Sequence, residues 1–363
     1  MQAADVAEPP AGAGRPWAPL ALRRGVPLRR RLLHGLQSSL GATGIAEAYV
    51  RTRRPVGAMI LMYHSVAAAE DAQWIDPQNH MPPEVFERHM RLLAERRRVI
   101  ALDELVDCVA RGQTPPAGTV VITFDDGYRD NLTVAAPILA RYGLPATLFL
   151  ATGYVSRGQS QWIDELYGVF RTRTRPSLTL GGRAWRLDSG TAAWDAYQAV
   201  AGELLIADYA ARQALLEAVA GQLEPVGRPP RLTMDWDDVR AWMAASPGLS
   251  VGLHTRDHVD LTARGEDDAR AELAACMADT DRELGSRGWH FSFPYSRATP
   301  ALQGLARAAG MWSAAAAERA ELVGAGSDAF ALPRVQAPAS LARLKYVTSG
   351  AHPALSLALV RRA

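Results

Sequence analysis

Two carboxylates and two imidazoles in this chain have the types and spacing for metal-assisted hydrolysis. Asp125 and Asp126 are adjacent in Thr123-Phe124-Asp125-Asp126-Gly127-Tyr128, at the end of the apolar run 119–122. His254 and His258 lie four residues apart in His254-Thr255-Arg256-Asp257-His258. One carboxylate held on a cation, one left free as a base and two imidazole ligands would leave a fourth position open for water. Side chains alternate at a strand end, so only one of the two aspartates is readily a ligand. Ligands at i and i+4 converge where the intervening backbone turns helically. Alone, an Asp-Asp-Gly is an ordinary turn sequence and a histidine pair at this spacing is common on exposed helices.

The elements that must position these groups read as alternating strands and helices. The segments 58–63, 98–101, 119–124, 146–150, 249–253 and 289–293 are short apolar runs, as expected of strands buried on both faces. Between and after them, 83–94, 102–110, 131–142, 236–245, 266–284 and 301–309 show helical spacing. This is the grammar of a parallel α/β barrel, and the chemical residues fall at the C-terminal ends of strands, where the loops of such a barrel build a site. The stretch 156–231 reads as an insertion, with a hairpin around Gly181-Gly182 and an Ala/Leu-rich helical stretch over 191–223. Within it Trp162, Asp164 and Tyr167 are candidates for contacting sugar or, equally, for anchoring the insertion.

With the third segment Phe291-Ser292-Phe293-Pro294-Tyr295-Ser296, these motifs and their order resemble the polysaccharide deacetylases, the NodB-like catalytic domain family, over about residues 57–345. The resemblance implies a distorted (β/α)7 barrel with an inserted α+β segment. It implies Asp126, His254 and His258 as metal ligands, Asp125 as general base and the backbone N–H of Tyr295 as a donor to the oxyanion. The family's usual acid is a histidine in a C-terminal Leu-x-His motif. Here that region reads Ala331-Leu332-Pro333-Arg334-Val335, and His352 in Ala351-His352-Pro353 lacks the motif. The poly-N-acetylglucosamine deacetylase subgroup supplies this histidine from a Tyr-His at the end of the first strand, and Tyr63-His64 matches it, so His64 is the expected acid. The family arginine of the third motif is replaced by Ser292, and Arg334 is read as orienting Asp125, as contacting substrate or as a surface ion-pair partner. His34, His80, His89 and His290 carry no motif and read as surface or packing residues.

A two-histidine, one-carboxylate set favours Zn2+ as the cofactor, with Co2+, Ni2+, Mn2+ and Fe2+ also compatible. The expected activity is removal of an N-acetyl or similar acyl group from an amino sugar or glycoconjugate. Sugar O-deacetylation and a non-catalytic glycan-binding role on the same fold are the alternatives. The partner is then a carbohydrate, and no nucleic acid is expected.

The whole chain of 363 residues carries a formal net charge of +2, but residues 1–56 hold nine arginines against three acidic residues. That basic arm is expected either to be a solvated leader with a short packed helix over 28–50 or to touch anionic lipid peripherally. No apolar run reaches the length of a membrane span, no signal-peptide pattern is evident, and the two cysteines read as reduced thiols, so a cytoplasmic location is expected.

Overall fold

The computed structural model describes residues 28–285 and 289–351. Residues 1–27 of the basic arm, and His352 with the rest of the C-terminal tail, lie outside the described residues. Among the described residues two compact units are present: one comprises 28–161 with 230–285 and 289–351, the other 162–229.

The apolar runs fold as strands: β1 (Ala58–Tyr63), β2 (Arg98–Val99), β3 (Thr119–Phe124) and β4 (Ala146–Leu150). The inserted unit contributes β5 (Ser177–Leu180) and β6 (Arg183–Arg186), after which β7 (Leu249–Leu253), β8 (His290–Ser292), β9 (Ser313–Glu318) and β10 (Leu332–Gln336) complete the set. Strands β1, β3, β4, β7, β8, β9 and β10 pair in that order, all parallel, and β10 returns to β1, so seven strands close a barrel. Every residue of β1, β3 and β4 is buried, which is why these strands are mostly apolar rather than alternating, with only threonines as polar members.

The segment 98–101 is not a barrel strand. Only Arg98 and Val99 pair, against the first two residues of β3. Strands β9 and β10 take its place in the closure. Residues 131–142 divide into a π-helical turn, Asn131–Ala135, and the α-helix Ala136–Tyr142. The N-terminal stretch forms two helices, Leu28–Ala42 and Ile45–Arg53, broken where Gly44 adopts φ 80°.

The register of β1 on β3 runs unbroken from Ala58 opposite Thr119 to Tyr63 opposite Phe124. The ladder then continues, with Asp125 N–H donating to Tyr63 O at 3.0 Å. One residue further, His64 and Asp125 leave neighbouring strands side by side. This pairing, set by two apolar runs of equal length, brings the first motif to the second.

In the inserted unit β5 and β6 form an antiparallel hairpin turned by Gly181 and Gly182, both with positive φ, as a two-residue hairpin turn requires. Its helices are Trp162–Arg171, Gly190–Ile206 and Tyr209–Leu223, so the stretch 191–223 is two helices, the second capped by Asp208 accepting from Ala211 N–H. Tyr197 packs edge-on against Tyr167 and Phe170. Among the described residues no helix is long and apolar enough to cross a membrane.

Candidate active site

Asp125 and Asp126 follow β3, His254 follows β7, and Tyr295 follows β8, all at one end of the barrel. Asp126 Oδ1 lies 3.1 Å from His258 Nε2 and 3.6 Å from His254 Nε2, and the three ligand atoms lie within 4.8 Å of one another. Bonds of about 2.0–2.1 Å in a tetrahedral zinc site separate ligands by roughly 3.3 Å, so these donors are spaced for one small cation. Asp126 Oδ1 is buried without a hydrogen-bond partner, a valence that a cation would fill.

The hydrogen bonds behind each ring fix which nitrogen faces the site. His254 Nδ1 lies 2.7 Å from Ser292 O, which can only accept, so Nδ1 carries the proton and Nε2 presents its lone pair. Burial pulls His254 down to about 4, against the opposing pull of Asp125, so this ring is neutral near neutral pH. For His258, the Tyr295 hydroxyl donates to His258 O at 3.1 Å and lies 3.1 Å from His258 Nδ1. With its one proton so placed, the hydroxyl accepts from Nδ1–H, which puts the ring's lone pair on Nε2, the atom 3.1 Å from Asp126 Oδ1. Tyr295 therefore orients the His258 ring through its side-chain hydroxyl, a contact that reading the motif for its backbone N–H alone did not reveal.

Backbone strain concentrates in these loops. Asp126 (φ 76°), Thr255 (φ 62°), His258 (φ 48°), Tyr295 (φ 59°) and Ser296 (φ 54°) all sit in the left-handed region, which non-glycine residues seldom enter. The surroundings hold them there. Glu272 accepts the backbone N–H groups of Arg256 and Asp257 at 3.0 Å each, and Gly153 N–H donates to Arg256 O at 2.8 Å. A Cβ on Gly153 would come within 2.6 Å of Asp257 Oδ1, so only glycine allows this approach. Glu272 lies on the helix Glu266–Leu284, 16 and 15 residues beyond the two N–H groups it holds, and no local pattern marks it.

Asp125 is gripped from β10, which is separated from β3 only by β1. Arg334, from β10, donates Nη1 to Asp125 Oδ1 at 2.7 Å and Nη2 to Oδ2 at 2.6 Å. The same guanidinium reaches Thr123 Oγ1 at 3.1 Å and Ser292 Oγ at 2.6 Å. It is 2% exposed and its ion pair is with the buried Asp125. Burial alone would raise the Asp125 carboxyl, but Arg334 and then His254 outweigh it and hold the group below the usual carboxylate range. Asp126 is likewise raised by burial and lowered further by His258, ending well below that range.

His64 lies near enough to the pair to act electrostatically on both aspartates. Its backbone O accepts from Asn131 Nδ2 at 2.8 Å, while Asp130 accepts from Ser65 Oγ and Val66 N–H, both at 2.7 Å. The chain after β1 is thus tied to the helix after β3. Trp162 and Asp164 are buried side chains of the inserted unit, where the Arg212 guanidinium lies 5.2 Å from the Trp162 ring.

A family model for polysaccharide deacetylases matches residues 112–314, over half of the chain and containing Asp125, Asp126, His254, His258 and Tyr295. The chain belongs to the polysaccharide deacetylase family. YxkH of Bacillus subtilis (strain 168), named for the same family, is 34% identical over 104 residues, 28% of this chain and 35% of that protein. Among solved structures, the Streptococcus pyogenes deacetylase PplD in complex with acetate superposes with a TM-score of 0.55 at 15% identity, covering 82% of this chain and 99% of that one. IcaB from Ammonifex degensii gives 0.52 at 19% identity, covering 81% and 97%. These likenesses establish the closed seven-stranded barrel as the fold of the family, and the family supports carbohydrate deacetylation.

Proposed function

We propose that this chain is a divalent-metal-dependent hydrolase that removes an N-acetyl or similar acyl group from an amino sugar or glycoconjugate. The observation that carries the reading is the division of labour between adjacent aspartates. Asp126 turns an unpartnered buried oxygen toward two imidazole Nε2 atoms, while Asp125 is held apart by Arg334. Asp126, His254 and His258 would hold the cation, with zinc the best fit to the donor set. When bound, such an ion polarises the acyl oxygen and lowers the pKa of water toward about 7.

The other steps belong to the chain itself. Asp125, ionised and oriented by two hydrogen bonds, accepts the proton of the attacking water. His64 supplies the proton that the departing amine needs, and the backbone N–H of Tyr295 is the donor for the developing oxyanion. A glycan-binding protein would need neither a base nor the buried arginine that keeps it ionised.

The test is acetate release from a panel of N-acetyl sugars and chito-oligosaccharides by zinc-loaded protein. Release that stops on chelation and returns with added metal is the expected result. Protein that binds zinc yet releases no acyl group from any amino sugar would overturn the proposal.

A further inference from the structure

Apolar side chains crowd the surface between Leu32 and Val56. Of the eight large ones exposed among the described residues, four are here: Leu32, Leu36, Ile45 and Val56. One face of the helix Leu28–Ala42 is fixed to its neighbour, the helix Leu341–Val347. Gln37 Oε1 accepts from Arg343 Nε at 3.0 Å, and a Cβ on Gly41 would come within 1.7 Å of Ala342 O, so only glycine allows this approach. The other face presents Leu32, Gly35, Leu36, Ser39 and Ala42 to solvent, with no charge among them. Leu32 is 67% exposed and Leu36 44%; four residues apart, they stand one above the other. The helix Ile45–Arg53 extends this surface with Ile45 and Ala48.

The charges around these residues have one sign. Of the exposed residues between 32 and 56, the ionisable ones are Arg51, Arg53 and Arg54. Glu47, the single acidic residue of the stretch, is engaged by the buried Arg97 at 2.7 Å. A neighbouring cleft of about 320 Å³ adds Arg88, Arg91, Arg96 and Lys345, against Glu95 and the engaged Glu47. In sequence, three more arginines at 29–31 precede the exposed leucines. So much exposed apolar surface calls for a cover, and the charge says which. A second copy seated face to face would set the arginines against one another. An anionic bilayer instead offers negative headgroups above an apolar interior, matching arginine beside leucine. At 15 residues the first helix is shorter than the roughly 20 that a span requires, so it would lie along the interface.

We propose that Leu32, Leu36 and Ile45, with Arg51, Arg53 and Arg54, form a docking surface for an anionic lipid bilayer. The leucines and the isoleucine enter the boundary between headgroups and acyl chains, and the arginines neutralise lipid phosphates. None of these side chains is among the metal-ligating or proton-transferring groups, so docking holds the protein at a membrane surface and leaves the site's chemistry untouched. The inference is independent of the deacylase reading.

The experiment is co-sedimentation of the full-length protein with vesicles of phosphatidylglycerol mixed with phosphatidylcholine, and with vesicles of phosphatidylcholine alone. Binding should be confined to the anionic vesicles and should fall steeply from 0.1 M to 1 M salt, as the Debye length shrinks from about 10 Å to about 3 Å. Leu32→Glu with Leu36→Glu should weaken it about tenfold or more. Arg51→Ser, Arg53→Ser and Arg54→Ser together should weaken it about 10²-fold. Both variants should keep the circular dichroism spectrum of the wild type, since every side chain changed is exposed. Protein that stays in the supernatant, equal binding to both kinds of vesicle, or binding that either variant retains in full would overturn the proposal. So would a dimer in lipid-free solution that the two leucine substitutions convert to monomer, because a second copy would then be what covers this face.

Discussion

Both ends of the barrel carry a histidine–carboxylate cluster, and only one of them is built to react. At the N-terminal end His290, the first residue of β8, places Nδ1 2.8 Å from Ser313 Oγ and Nε2 2.6 Å from Asp103 Oδ1. On paper this is a Ser-His-Asp arrangement. Yet Ser313 is 1% exposed and His290 is 4% exposed, and both ring nitrogens are satisfied, so no substrate reaches the hydroxyl and no valence is left over. At the C-terminal end the histidines have one nitrogen satisfied and one aimed inward, Asp126 Oδ1 has no hydrogen-bond partner, and the backbone is strained to hold them. The difference shows that a site is marked by unfilled valences in a preorganised setting rather than by which residue types meet.

Three substitutions sharpen this contrast. The largest effect is expected from Arg334→Met. Removing the guanidinium takes away the main pull that opposes burial at Asp125, so the carboxyl titrates at higher pH and the acid limb of the activity profile moves up. Turnover at neutral pH should fall by about 10²-fold or more as the base is lost in part, and stability by about 3–5 kcal/mol, the usual result of stripping one partner from a buried pair. Because the native carboxyl is depressed, the wild-type pair stabilises the fold at neutral pH and that contribution disappears only as pH falls through the lowered pKa. A pH–rate profile unchanged in its acid limb would show that Arg334 does not set the state of Asp125.

Tyr295→Phe comes next. It deletes the hydroxyl that fixes the His258 tautomer while preserving the ring that packs at 4.8 Å on it. Zinc affinity should weaken about 10- to 100-fold, the typical effect of losing an outer hydrogen bond to a metal-ligating histidine, as read by competition with a chelator. Unaltered affinity would leave Tyr295 with a backbone role only. The smallest effect belongs to the other end of the barrel. Ser313→Ala should lower stability by about 1 kcal/mol, one buried hydrogen bond, with turnover unchanged. Loss of activity in that variant would make the N-terminal cluster functional after all.

Much of the barrel and of its C-terminal cluster was legible in the sequence. The runs that became β1, β3, β4 and β7 are apolar and flanked by polar turns, so their bounds could be read directly, and each motif sits where such a strand ends. The strands that could not be read have physical reasons. β9 is Ser-Ala-Ala-Ala-Ala-Glu, with no β-branched or aromatic residue to signal a strand, and β10 contains Pro333, accommodated where the pairing register shifts between Leu332 and Pro333. Because β10 was unreadable, the position of Arg334 opposite Asp125 was open too. The contacts of the Tyr295 hydroxyl and of Glu272 depend on packing between elements and on left-handed backbone at non-glycine residues, for which one sequence carries no local signal.

The central claim is that neighbouring aspartates divide base from ligand. It is tested most directly by measuring zinc content and acetate release on the same preparations of wild type, Asp125→Asn and Asp126→Ala. The account predicts that Asp125→Asn keeps stoichiometric zinc while turnover drops by about 10²–10⁴-fold, and that Asp126→Ala loses the metal and the activity together. Zinc lost from Asp125→Asn and retained by Asp126→Ala would contradict it.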